Sequence, residues 1–164
     1  MATTDSLVIF RPPDNEPPSS NFATVDIRNL HPVLDFDDTT QEIAIFTGIM
    51  PRNYSALGIT VYVHYAATTA TSGTGGWDVT FERIGDGSQD IDADGFATAQ
   101  TITAATVPAT SGNVDILNVA ITDGAAGTDS VAVGESFRLR IRRDVANDTA
   151  TGDLELVMVE LKET

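Results

Sequence analysis

The sequence predicts an all-β fold, an antiparallel jelly-roll β-sandwich over residues 24–164 with an extended N-terminal arm over residues 1–23. Three observations carry this. Apolar residues recur with period two in short runs, the pattern of half-buried strands. Gly-, Asn- and Asp-rich turns separate the runs. No segment sustains a helical period.

The arm is set apart by Pro12, Pro13, Pro17 and Pro18, interleaved with Asp14, Asn15, Glu16, Ser19 and Ser20. Proline lacks a backbone donor and fixes φ, so this stretch makes neither a helix nor a central strand. It follows four consecutive apolar residues, Leu7, Val8, Ile9 and Phe10. Two readings are open for this patch. It binds a partner surface by strand addition, or it folds back on its own domain.

From Val25 onward alternation dominates. Leu34 and Phe36 alternate with Asp35 and Asp37, and Ile43 and Ile45 open an apolar stretch that ends at Pro51. Ile59, Val61, Val63 and Tyr65 share one face, opposite Thr60, Tyr62 and His64. Trp77, Val79 and Phe81 alternate with Asp78, Thr80 and Glu82, which assigns Trp77 to the core. Residues 97–105 are rich in threonine and read as a strand. Val114 and Ile116 fall out of phase with Val119 and Ile121, which predicts a β-bulge near Leu117-Asn118. Phe137, Leu139 and Ile141 alternate with Arg138, Arg140 and Arg142, and Leu154, Leu156 and Met158 share a face of the last strand. About eight strands result.

Composition narrows function. There are 24 Asp and Glu against 9 Lys and Arg, a formal charge of −15. Nucleic acid and anionic membrane surfaces require the opposite balance, so neither is an expected partner. The absence of cysteine rules out disulfides, thiolate metal sites and a cysteine nucleophile. No apolar run has the length of a membrane span, and the first residues lack the pattern of a signal peptide, so Sec export is not expected.

Catalytic signals are weak. His31 precedes Pro32, and His64 lies on the polar face of a strand. No nucleophile elbow, zinc-protease helix or phosphate loop is present, and no two acids are marked as a buried pair. The chain is read as a non-enzyme that needs no organic cofactor. Asp90-Ile91-Asp92-Ala93-Asp94-Gly95 matches the opening of a calcium loop, with Asp90, Asp92 and Asp94 as ligands. Thr101 stands where an EF-hand has its bidentate Glu, so the readings are a looser calcium site or a solvated acidic loop. Arg138, Arg140 and Arg142 form a row that Arg143 extends, four of the nine basic residues. A row of like charge needs acids opposite, Glu155 among them, or forms a basic stripe for an acidic neighbouring subunit. Tyr54 and Tyr62 are the candidates for a sugar-stacking surface.

Met50-Pro51-Arg52-Asn53-Tyr54-Ser55, the strand from Gly58 to Tyr65, and Trp77-Asp78-Val79-Thr80-Phe81-Glu82-Arg83 resemble a jelly-roll family of tailed-phage structural proteins. So does the run from Val133 to Asp144, followed by Thr149-Ala150-Thr151-Gly152-Asp153. The resemblance spans roughly Leu30 to Glu163. It implies a homotrimer on the capsid surface of a virion, made in the host cytoplasm. There it would act as a cement or decoration protein that binds the major capsid protein lattice and stabilises the head. The arm patch Leu7–Phe10 would be the apolar anchor. The alternative within the same resemblance is a tail- or fibre-associated module that binds carbohydrate or a receptor, with calcium at Asp90, Asp92 and Asp94. The family supplies no catalytic residues.

Overall fold

The computed structural model describes residues 5–164. Ten strands follow in order: β1 (Ser6–Phe10), β2 (Thr24–Arg28), β3 (His31–Phe36), β4 (Ile43–Ile49) and β5 (Ile59–Ala67), then β6 (Thr74–Ile84), β7 (Gln100–Thr106), β8 (Asp115–Ile121), β9 (Ser136–Arg143) and β10 (Leu154–Glu163). They form two antiparallel sheets. Sheet A runs β2-β3-β10-β5-β8, with β1 also paired to β10, and sheet B runs β4-β9-β6-β7. From β3 onward the chain changes sheet at almost every connection, the exception being the β6–β7 hairpin. This is the jelly-roll sandwich the alternation predicts. The inward residues make one core. Trp77 is fully buried, with Phe36 and Tyr65 edge-on at 5.0 and 5.6 Å between ring centroids.

The N-terminal segment departs from expectation. Residues 6–10 are not an arm laid on a partner. They pair with Val159–Lys162 of β10, and Phe10 is buried in the core. The Pro-rich stretch then runs along the free edge of β4. Glu16 N–H donates to the Ile45 carbonyl (2.7 Å) and Ala23 N–H to Ile43 (3.0 Å). Ile45 N–H in turn donates to the Asn15 side chain (3.0 Å). Here proline covers a sheet edge instead of lengthening a linker, and Leu7 and Val8 pack on the core. Of the two readings, folding back on its own domain is the one observed. The described part of the arm thus packs into the sandwich through β1 and Phe10.

The bulge expected in β8 is also absent. Strand β8 pairs with β5 in unbroken register from Asp115 to Ile121. Leu117, Val119 and Ile121 face the core, whereas Val114 and Ile116 are exposed apolar residues on or beside the outer face. The phase break was produced by surface residues, not by an extra residue.

Candidate functional site

The outer face of sheet A carries a groove of about 400 Å³ between the β2–β3 hairpin and the loop before β8. Its polar lining comes from Arg28, Asn29, His31 and Glu155, and its apolar lining from Val33, Val114 and Val157. The Arg28 side chain reaches from the end of β2 to β10, where it forms an ion pair with Glu155. It also donates to the carbonyls of Ala67 (3.1 Å) and Thr68 (3.4 Å). Gly112 makes room for this. It has φ +82°, and a Cβ there would lie 2.8 Å from the guanidinium. The Glu155 side chain is only 4% exposed and that of Arg28 34%, so the pair forms a fixed polar floor with one accessible end. His31 and Asn29 project from the exposed hairpin rim.

Asp35 lies directly across from Glu155 in the β3–β10 register. Its Oδ1 is buried without a hydrogen-bond partner. Burial, reinforced by the Glu155, Asp26, Asp153 and Glu42 carboxylates, pushes its pKa from 3.8 up to about 6. The fold thus prefers the protonated form. The stabilisation is complete below the unfolded value and is lost as pH rises through about 6. Replacing Asp35 by Asn is expected to remove this dependence. The variant should be more stable than the parent at pH 7.5 and lose that advantage at pH 4, as read by thermal melts across pH.

The sequence-predicted sites fall elsewhere. Asp90, Asp92 and Asp94 sit in the loop between β6 and β7, where Asp90 Oδ1 accepts from Asp92 N–H (3.0 Å) and Asp94 Oδ1 from Gly95 N–H (3.0 Å). The Asp90 and Asp94 carboxylates border one small depression of this loop, which Asp92 does not line. Among the described residues no group of three His, Asp or Glu side chains is placed to hold a metal ion. The calcium-loop expectation thus finds no preformed ligand set here; in a tight turn, short Asp side chains satisfy backbone donors.

Arg138, Arg140 and Arg142 do share the outer face of sheet B, but Glu155 is not their partner, because it belongs to the other sheet. Arg138 pairs with Glu82 and Arg142 with Asp78 (3.0 Å), both on β6. Arg140 donates to Thr80 Oγ1 (3.2 Å) and stacks over the Phe96 ring, 4.5 Å from its centroid. The row is largely neutralised and partly covered by the β6–β7 loop, which weakens the case for a basic stripe. Arg143 faces the opposite way and is buried. Of the tyrosines, Tyr54 is buried and hydrogen-bonded towards Asp123, while Tyr62 is half-buried beside Lys162. Neither borders the groove.

Sequence reasoning missed Arg28, Asn29, Val114 and Glu155 as site residues. The usable signals were the off-phase Val114 and Ile116 and a hairpin turn that places Leu30 after Asn29.

No family model matches the chain, and no curated protein does either. Solved structures with the same fold do. One is a family 35 carbohydrate-binding module from an environmental isolate, with a TM-score of 0.56 and 11% identity, matched over 95% of this chain and 93% of that one. Another is the C-terminal CBM6 of LamC from Zobellia galactanivorans, at 0.52 and 8%, over 94% and 98%. A third is the xylan-binding module CBM15, at 0.51 and 10%, over 96% and 97%. At these identities the likeness establishes the jelly-roll sandwich and nothing finer.

Proposed function

We propose that this chain is a non-catalytic binding module that takes a carbohydrate chain in the groove of sheet A. The observation that carries the reading is the groove itself. A guanidinium, an amide, an imidazole and a carboxylate converge on one depression with valine walls, a set suited to sugar hydroxyls and C–H faces. The Arg28–Glu155 pair holds the carboxylate in place, which suits hydrogen bonding better than proton transfer. The use of the same architecture by carbohydrate-binding modules supports the reading. No aromatic side chain lines the groove, so binding would rest on hydrogen bonds and be weak per site.

This reading displaces capsid cement. The cement reading came from the resemblance and took Leu7–Phe10 as its anchor, whereas that patch is built into the chain's own sheet. A virion surface is kept as the setting, with the module holding a receptor glycan.

The test is affinity electrophoresis against β-glucans, xylans, mannans and bacterial surface polysaccharides. At least one should retard the protein. Exposed His31→Ala and Val114→Asp should weaken that binding about tenfold or more, the equivalent of one good hydrogen bond, without lowering the melting temperature. Retardation equal to the parent in both variants would remove the groove as the site.

A further inference from the structure

Strand β2 is a free edge of sheet A, and one of its faces is apolar and exposed. Val25 and Ile27 are each 57% exposed, and Phe22 is exposed beside them. They point to the side that packs against sheet B elsewhere, but the hairpin overhangs that cover. The turn joining β2 to β3 is Asn29-Leu30, with φ of 46° and 68°. Such two-residue turns favour Asn-Gly, and a leucine is disfavoured at left-handed φ because its Cβ crowds the backbone. Leu30 is also 90% exposed. A natural edge is usually blunted by charge, proline or a bulge. This one carries Asp26 and Arg28 on one face, but on the other it holds a solvent-facing leucine with left-handed φ next to two β-branched residues, a combination that marks a contact surface.

The hydrogen-bonding parity of the hairpin says what fits. Arg28 and His31 flank the two-residue turn and form the pair that exchanges backbone bonds. Counting back by twos, Asp26 and Thr24 also bond towards β3. The N–H and C=O groups of Val25 and Ile27 therefore point outward. We propose that two copies of this chain pair β2 to β2, antiparallel, about a two-fold axis at Ile27. Two other registers suit the outward groups. An axis at Asp26 would set two carboxylates opposite each other. An axis at Val25 would need the Ala23 N–H, which already donates to Ile43. The Ile27 register sets Asp26 opposite Arg28 on both sides of the axis and Ile27 opposite Ile27, with each Val25 diagonal to the other copy's Ile27 on the same face.

The pairing would join two six-stranded sheets into one face. Each groove would gain the partner's Asp26 beside its own Arg28, and the two grooves would lie side by side. A ligand chain spanning both would bind with avidity. The dimer does not depend on the sugar-binding reading, and it is tested without any saccharide.

The experiment is light scattering after size exclusion over a concentration series reaching millimolar protein, in 0.15 M salt to screen the net charge. A rise to twice the 17.4 kDa chain mass is expected. Ile27→Lys and, separately, Val25→Lys should each return the protein to monomer with an unchanged melting temperature measured at low concentration. A monomer at every concentration, a dimer indifferent to both substitutions, or a trimer would overturn the proposal.

Discussion

Phe10→Ala is expected to destabilise the protein by about 3–5 kcal/mol, the cost of truncating a buried phenylalanine. The ring is 5% exposed. It stacks on Phe46 at 5.2 Å between centroids and meets Phe137 edge-on at 6.2 Å. Gly48 completes the fit: a Cβ at that position would lie 3.0 Å from both the Phe10 and Phe137 rings. Removing the ring leaves a void that β1 cannot collapse into, because its backbone is fixed to β10. Urea denaturation followed by tryptophan fluorescence gives the value directly, since Trp77 lies in the same core. A loss below about 0.5 kcal/mol, the range of ordinary surface substitutions, would mean that the N-terminal strand is not docked. Deleting residues 1–20 should be worse still, because it also exposes the edges of β4 and β10.

Arg143→Ala carries the second large effect, about 3–5 kcal/mol, as expected when one partner of a buried ion pair is removed. The guanidinium is fully buried. Nε and Nη2 reach Asp148 at 2.5 and 3.2 Å. Nη1 donates to the carbonyls of Phe36 (3.1 Å) and Gly152 (2.8 Å), and Nη2 to that of Ala150 (2.7 Å). The planar five-donor fork thus ties the loop between β9 and β10 to the end of β3. Lysine has three donors on a point charge and should rescue little of the loss. Near-parental stability of Arg143→Lys in the same denaturation would show that charge alone matters there and not the fork.

The strands were legible because burial in a sandwich imposes period two. Trp77, Phe81 and Leu139 sit where alternation puts them, fully buried. Parity put Arg138, Arg140 and Arg142 on one face, but Arg143, read as extending that row, turns the other way and is buried. What alternation does not encode is which strands become neighbours, so the row's partners were sought in Glu155 instead of Asp78 and Glu82. Prolines excluded a central strand over residues 12–18 correctly but not a helical turn, because Pro12–Asp14 form a short 3-10 helix, and they did not show that the stretch covers a β4 edge, which requires knowing where that edge lies. The groove was hidden for the same reason. Arg28 and Glu155 are 127 residues apart and meet only because β3 lies between β2 and β10. Val114 and Ile116 did leave a trace, as apolar residues in the wrong phase. A rule that treats such residues as exposed would have pointed to this face.

The most direct test of carbohydrate binding on sheet A is an amide NMR titration with the polysaccharide fragments retained in electrophoresis. Binding in the groove moves the signals of Arg28, Asn29, His31, Gly112 and Val114 and leaves those of Asp90–Gly95 and the outer face of β9 in place. Shifts confined to the β6–β7 loop or the arginine row, or no shifts with any saccharide at millimolar concentration, would contradict it.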